Sequence, residues 1–317
     1  MIDYPAHLAA MWEKAIAPRK PDAPTVVSTF AGGGGSLTGY LMAGYRDLLA
    51  VEWDDNAVAT LRANYPDLDI YHGDIAKLTV DEVLKRTGLE PGQLDILDGS
   101  PPCQGFSTAG KRLIDDPRNQ LFREYVRLLR GLRPKVFVME NVSGMVKGKM
   151  KLVFVDILRE LKASGYQVSA RLLNAMYFHV PQSRERMIFI GVREDLGIEP
   201  THPGAESKPG CALCAVNGVL DTPNPYGARR FNQAMRRLEH HKSSPTLTKS
   251  EVPGSDLPWA GDERIGDKRA QVIASFPLAY HFHGIWKDAV NRIGNSVPPL
   301  FMEAIARHIR QEILEKA

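Results

Sequence analysis

From Thr25 to Arg193 the chain keeps switching between two hydrophobic periods. Short apolar runs rich in β-branched residues are each followed by a longer stretch with helical spacing. That alternation leaves few folds open, and it points to an α/β protein: a Rossmann-like, mostly parallel sheet with helices on both faces. Strands are read in "TVVSTF" (25–30), "DLLAVEWD" (47–54), "LDIYHGDI" (68–75), "LDILDGSPPC" (94–103), "KVFVMENV" (135–142), "YQVSARLLNA" (166–175) and "RMIFIGVR" (186–193). Helices are read in "NAVATLRANYP", "LFREYVRLLRGLRP" and "VFVDILRELKASGY", with another beginning at Leu37. An N-terminal helix is marked by one apolar stripe, Leu8, Met11, Trp12, Ala15 and Ile16, with Asp3 and Pro5 at its start. A C-terminal helix follows Pro298 and Pro299.

Between Glu194 and Arg264 the periodicity fades into Pro- and Gly-rich segments, too long for one loop of a compact domain. The chain therefore divides into residues 1–193 with 265–317, and a small irregular subdomain over 194–264. An apolar share of 44% and a charged share of 24% are ordinary globular values. The net charge of +3 permits a polyanionic partner without requiring one. Three cysteines make no disulfide scaffold, which fits a reducing compartment. Neither a signal peptide nor a membrane span is read, so a cytoplasmic location is expected.

Two stretches carry chemistry. In "TFAGGGGSLTGY" a strand runs through glycines into a helix, and an acid, Glu52, ends the next strand. This is the general nucleotide-binding arrangement, in which glycines let the backbone approach the ligand and the acid accepts from ribose hydroxyls. The dinucleotide fingerprint itself fits poorly, since Leu37 occupies its third glycine position. Trp53 can lie flat on an adenine, and Asp74 adds an acceptor at the third strand's tip.

In "DGSPPCQGFSTAGKR" Cys103 follows a strand and leads into a loop with few apolar anchors, unlike a structural cysteine inside an apolar run. Nucleophilic work by a thiol needs positive charge nearby, and Arg184 and Arg186 at the mouth of a strand are candidates. Glu140 ends the fully apolar strand of "VFVMENV", where a carboxyl is partly desolvated and can carry a proton. Strand ends on one edge of a parallel sheet gather at the ligand crevice. A thiolate, an acid and two arginines there make a covalent catalysis set.

These motifs resemble those of the S-adenosylmethionine-dependent 5-cytosine DNA methyltransferases of bacterial and phage type, over nearly the whole chain. "TFAGGGG", "VEWD", "GDI", "PPCQGFS", "MENV", "QSRERMIFIGVR" and "GNSVPP" agree in order and spacing. The resemblance implies S-adenosyl-L-methionine as cofactor, held by Phe30, Ala31, Gly32, Gly35, Glu52, Trp53, Asp74, Ile75, Pro101, Leu121, Asn295, Ser296 and Val297. It implies that Cys103 attacks carbon 6 of a flipped cytosine while Glu140 and an arginine, Arg186 rather than Arg184, hold the base.

The resemblance also implies double-stranded DNA as partner, contacted by Gln104, Ser107, Lys111, Arg112 and Arg118 on a closing loop and by Arg229, Arg230, Arg236 and Arg237 in the recognition region 194–264. A cognate restriction endonuclease and a monomeric state go with that reading. The alternatives are a tRNA cytosine-5 methyltransferase, a catalytically silent DNA-binding homologue and a nicotinamide oxidoreductase. The last leaves Cys103 and "GNSVPP" unaccounted for.

Two departures stand out. The family's acid two positions before the loop phenylalanine is Ser28 here, with Glu52 or Asp54 expected to compensate. "CALC" sets Cys211 and Cys214 at a metal-like spacing, but two more donors would be needed, His202, His240 and His241 being nearest. The two cysteines are taken as small apolar side chains, and no metal is assigned.

Overall fold

Adjacent strand residues take opposite faces of a sheet, and here both faces are buried. In the computed structural model, which describes residues 3–102, 120–146, 150–221, 238–248, 259–260 and 263–317, Val26, Ile96, Val136 and Ile188 enter one core cluster. Their neighbours Val27, Leu97, Phe137 and Phe189 enter a second. Continuous apolar strands of this kind belong to sheets covered on both sides.

The sheet has seven strands: β1 (Thr25–Thr29), β2 (Arg46–Glu52), β3 (Ile70–His72), β4 (Ile96–Gly99), β5 (Val136–Val142), β6 (Tyr166–Asn174) and β7 (Glu185–Arg193). Their order is β3-β2-β1-β4-β5-β7-β6. Strands β1 to β5 are parallel, whereas β7 runs antiparallel to both β5 and β6. The order reverses at β1, whose neighbours are β2 and β4, and a ligand crevice is expected beyond the carboxyl ends at that point.

Helices α1 (Tyr4–Ile16), α2 (Gly35–Met42) and α3 (Asp55–Asn64) supply residues to the first cluster. So do α8 (Asp267–Ile273), α9 (Trp286–Asn295) and α10 (Pro299–Glu312). Helices α4 (Val80–Thr87), α5 (Gln120–Leu132) and α6 (Met150–Lys162) supply the second. Asp3 caps α1 by accepting from the Ala6 amide. The expected stripe is buried except at its end, where Ile16 is exposed. Helix α4 was absent from the expected elements, although Thr79 caps its start and Gly88, at φ +69°, ends it.

Within 194–264 the described residues hold a 3₁₀ turn (Glu194–Leu196), one short α-helix, α7 (Ala212–Ala215), and a small pair, β8 (Trp259–Ala260) with β9 (Glu263–Arg264). Ala212, Val216, Val219, Leu238 and Leu247 join the first core cluster, so the described parts of this irregular stretch pack onto the main sheet's core. No helix among the described residues is long and apolar enough to cross a membrane.

Candidate active site

At the end of β1 the chain must turn sharply under β2 to reach α2. Phe30 (φ +55°), Gly32 (φ +54°) and Gly34 (φ +78°) take the left-handed backbone this requires. The Ala31 amide reaches the Val51 carbonyl at 3.1 Å, which ties the loop to β2. The Glu52 carboxylate then organises the loop from below. One oxygen accepts from the Gly32 amide at 2.7 Å. The other accepts from the Trp53 and Asp54 amides, each at 2.9 Å. A carboxylate fixed in this way keeps lone pairs free for further donors. Trp53 is 77% exposed although its neighbour Glu52 is buried. A large indole held in the open beside a fixed acceptor has the form of a stacking platform.

The far wall comes from the C-terminal part of the chain. Asp54 caps α3 through the Ala57 amide and pairs with Arg292 of α9. One turn beyond Arg292, Ser296 donates its hydroxyl to the Arg292 carbonyl at 2.7 Å. This holds Gly294 to Val297 against the glycine loop.

The third wall is the end of β5. Glu140 pairs with Nε of Arg186 at 2.6 Å, both side chains being largely buried. Asn141 donates to the Pro101 carbonyl at 3.2 Å, anchoring the start of the loop that leads to Cys103. All three walls enclose one cavity of about 530 Å³. Its lining includes Phe30, Ala31, Gly32, Gly35, Glu52, Trp53, Pro101, Glu140, Arg184, Arg186, Asn295, Ser296 and Val297.

Among the residues expected at the site, Asp74, Ile75 and Leu121 do not line this cavity. Asp74 caps a short 3₁₀ turn through the Ala76 amide, Ile75 is buried, and Leu121 packs on the second core cluster. Cys103, Gln104, Ser107, Lys111, Arg112, Arg118, Arg229, Arg230, Arg236 and Arg237 lie outside the described residues.

The two arginines of "QSRER" part company. Arg186 meets Glu140 in the cavity. Arg184 is only 2% exposed and donates to the Leu247 and Gly294 carbonyls at 2.9 and 3.0 Å. Burial, helped by the charge of Arg186 and opposed by that of Glu140, pulls the Arg184 pKa down to about 9. Arg292 and Asn141 were not singled out in the sequence. Each adjoins a recognised motif, one helical turn before Ser296 and next to Glu140, which is the signal that could have found them.

Ser28, which stands where the family has an acid, meets a carboxyl from the neighbouring strand. The Ser28 hydroxyl donates to Asp47 at 2.5 Å, and Asp47 lies outside the cavity that Glu52 and Asp54 line. Burial lifts the Asp47 pKa to about 7, opposed by its bonds to Ser28 and the Leu49 amide. Asp98, at the end of β4, is likewise lifted well above the carboxylate range by burial, against the bond that it accepts from Tyr40.

Cys211 and Cys214 also differ from expectation. They are half-buried and joined as a disulfide, with Cα atoms 5.3 Å apart.

Sheet order, glycine turn and platform define the class: a doubly wound α/β protein with a nucleotide-type cleft at its switch point. A carboxylate–guanidinium pair opens into the same cleft. The comparisons narrow this. Residues 25–212 match the family model described as C-5 cytosine-specific DNA methylase. The Type II methyltransferase M1.HphI of Haemophilus parahaemolyticus is 31% identical over 90% of this chain and 86% of its own. M.AquIA of a Picosynechococcus strain is 41% identical over 56% of this chain and 76% of its own. Among solved structures, the Dnmt2 methyltransferase of S. pombe superposes with a TM-score of 0.67 at 18% identity, covering 92% of this chain and 99% of that one. At that identity the likeness shows the fold alone. The chain belongs to the C-5 cytosine-specific DNA methylase family.

Proposed function

We propose that this enzyme transfers a methyl group from S-adenosyl-L-methionine to carbon 5 of a cytosine flipped out of double-stranded DNA, through a covalent adduct on Cys103. The observation that carries the reading is the single cavity shared by the Glu52–Trp53 platform and the Glu140–Arg186 pair. A nucleoside-bearing donor and a pyrimidine can meet there with no barrier between them.

The residues present fit the cofactor. Glu52 offers an acceptor to ribose hydroxyls, Trp53 a face to adenine, and the glycine loop and Ser296–Val297 close backbone approach. When bound, the cofactor supplies an electrophilic methyl on a sulfonium. The chain's own residues prepare the nucleophile. The Cys103 thiolate adds to carbon 6, which breaks the 5,6 double bond and moves an electron pair to carbon 5. Glu140 holds ring nitrogen 3 and the exocyclic amine, and Arg186 the carbonyl oxygen. Both are already paired, so the base inserts into a preorganised set rather than assembling one. After methyl transfer, loss of the carbon 5 proton restores the double bond and expels the thiolate.

Arg184 serves in this scheme as a positioning residue, fixing the cavity floor to Leu247 and Gly294. Lys111, Arg112 and Arg118, with Gln104 and Ser107, meet the substrate strand. Arg229, Arg230, Arg236 and Arg237 in the recognition region 194–264 meet phosphates. The Type II names of the relatives support a restriction-modification role with a cognate endonuclease as partner. The enzyme is read as a cytoplasmic monomer.

Duplex DNA carrying 5-fluorocytosine tests the reading, because fluorine cannot leave as a proton does and the adduct persists. With cofactor present, a covalent complex should survive a denaturing gel and vanish in Cys103→Ser. An adduct that persists in that variant names the wrong nucleophile. Trapping on tRNA but not on the duplex transfers the same chemistry to the other polymer. Bisulfite sequencing of an expressing host's DNA then gives the sequence context.

A further inference from the structure

Three cysteines exist in this chain, and the proposed reaction uses one. The other two sit together inside the irregular region, at the short helix α7. Cys211 and Cys214 flank the first turn of α7, and a ring nitrogen of His240 joins them, the three donor atoms lying within 4.8 Å of one another. Sequence spacing alone could not choose a third donor from His202, His240 and His241. The fold chooses His240.

We infer that Cys211, Cys214 and His240 form a binding site for a soft divalent cation, Zn²⁺ being the fitting one. Two thiolates and one imidazole are the donor set that tetrahedral zinc takes, with the charges cancelling. The surroundings of Cys211 support it independently. Its sulfur accepts from two backbone amides, Cys214 at 3.2 Å and His241 at 3.3 Å. Donors converging on one sulfur stabilise the charged thiolate, the form that ligates metal, far more than a neutral disulfide sulfur. The frame is also preformed. The Ala212 amide reaches the Lys242 carbonyl at 2.9 Å, and the Ser243 hydroxyl reaches the Gly210 carbonyl at 3.0 Å. At ordinary zinc bond lengths, tetrahedral donors sit about 3.6 Å apart, so once the S–S bond is broken the two sulfurs have only to move apart by on the order of 1 Å, with His240 already within 4.8 Å of both. His240 and His241 are exposed, which leaves the fourth position to water.

The pair enters this site as a dithiol. A cellular dithiol reductant gives the S–S bond two electrons and two protons and leaves as its own disulfide. Zn²⁺ then displaces both thiol protons to solvent. The bound ion pins residues 211 and 214 to residue 240. The ligand set stands on its own geometry; only the value of that clamp for DNA binding rests on the function proposed above.

The test uses the full chain purified under a phosphine reductant without chelator. Elemental analysis should find one zinc per chain. The metal-free protein titrated with Co²⁺ should develop the near-ultraviolet band of thiolate-to-cobalt charge transfer. Cys211→Ser with Cys214→Ser should lose both signals, while Cys103→Ser keeps both. His240→Ala should weaken Co²⁺ binding by at least the roughly tenfold that losing a mere outer partner costs. Reduced wild-type protein that takes up neither zinc nor cobalt overturns the inference. So does full zinc content in the double variant, or a disulfide that survives the reductant. The wild-type titration needs no variant to fold. Because none of these readouts uses DNA or cofactor, failure here leaves the methyltransferase reading untouched.

Discussion

Replacing Gly35 with alanine adds one carbon where the structure has no room for it. Gly35 opens α2 with ordinary helical backbone, and in an open helix the exchange would gain about 1 kcal/mol of propensity. Here the new Cβ would fall inside the contact radius of the Val297 carbonyl oxygen and 3.0 Å from Ser296 Cβ. Neither atom can swing aside. The Ser296 amide is held to the Arg292 carbonyl at 3.0 Å, and Val297 runs directly into α10, which packs on α2. The Gly294–Val297 wall must therefore retreat by on the order of 1 Å, an overpacking cost of about 1–3 kcal/mol that outweighs the helical gain. A displacement of that size in a site wall is worth up to about 100-fold in function. S-adenosylhomocysteine titrated calorimetrically into Gly35→Ala should bind about 10- to 100-fold more weakly than to wild type.

Gly33→Ala is the control. Its Cβ would meet the Ser296 hydroxyl at 3.0 Å, Arg292 Cβ at 3.1 Å and a Phe282 ring carbon at 3.5 Å. The Ser296 hydroxyl and the Phe282 ring can turn, and the approach to Arg292 Cβ asks for only a few tenths of an ångström with no backbone atom in the way, so the loss should stay within about fivefold, close to 1 kcal/mol. Wild-type affinity in Gly35→Ala, or equal losses in both variants, would refute the steric argument.

Trp53→Ala should leave the melting temperature nearly unchanged, because the indole is 77% exposed, yet weaken cofactor binding by about 1–3 kcal/mol of lost stacking; a large drop in melting temperature with binding intact would show a structural role instead. Asp47→Asn probes the buried acid. With its pKa raised from 3.8 to about 7, the folded state binds the proton more tightly than the unfolded state. Its stabilising contribution is complete below pH 3.8 and is lost as pH rises to 7, at most about 4 kcal/mol. Urea melts should show the stability of wild type relative to the variant falling across that window, and parallel pH profiles would refute the assignment. Arg184→Lys replaces a planar fork, whose two terminal nitrogens each meet one carbonyl, by a single ammonium and should cost about 3 kcal/mol. Its kcat should fall with Glu140 still present, and an unchanged melting temperature would contradict the role given to Arg184. Glu140→Gln should slow turnover while calorimetry shows cofactor affinity kept; lost affinity would move Glu140 to another role.

The β1–glycine–α2 unit, the strand ending in Glu52 and the helix after Pro298 could all be read from the chain, because each is written in local period and turn chemistry. Helix α4 was missed although its cap signals are present, since its eight residues include a single buried one, Val83. Asp74 was placed at a strand tip correctly, but which strand tips reach the cavity depends on sheet order. β3 lies at the sheet's edge, two strands from the switch point on its β2 side.

The sequence by itself determined the alternation of elements, the family motifs and the chemical types gathered at the strand ends, since these depend on neighbours a few residues apart. Tertiary structure alone decided that Arg184 is spent on the Leu247 and Gly294 carbonyls, that Asp47 lies against Ser28, and that His240 comes to Cys211 and Cys214. Each of those choices joins residues distant in sequence, and such partners are fixed only when packing brings their segments together and burial demands that every polar group find one.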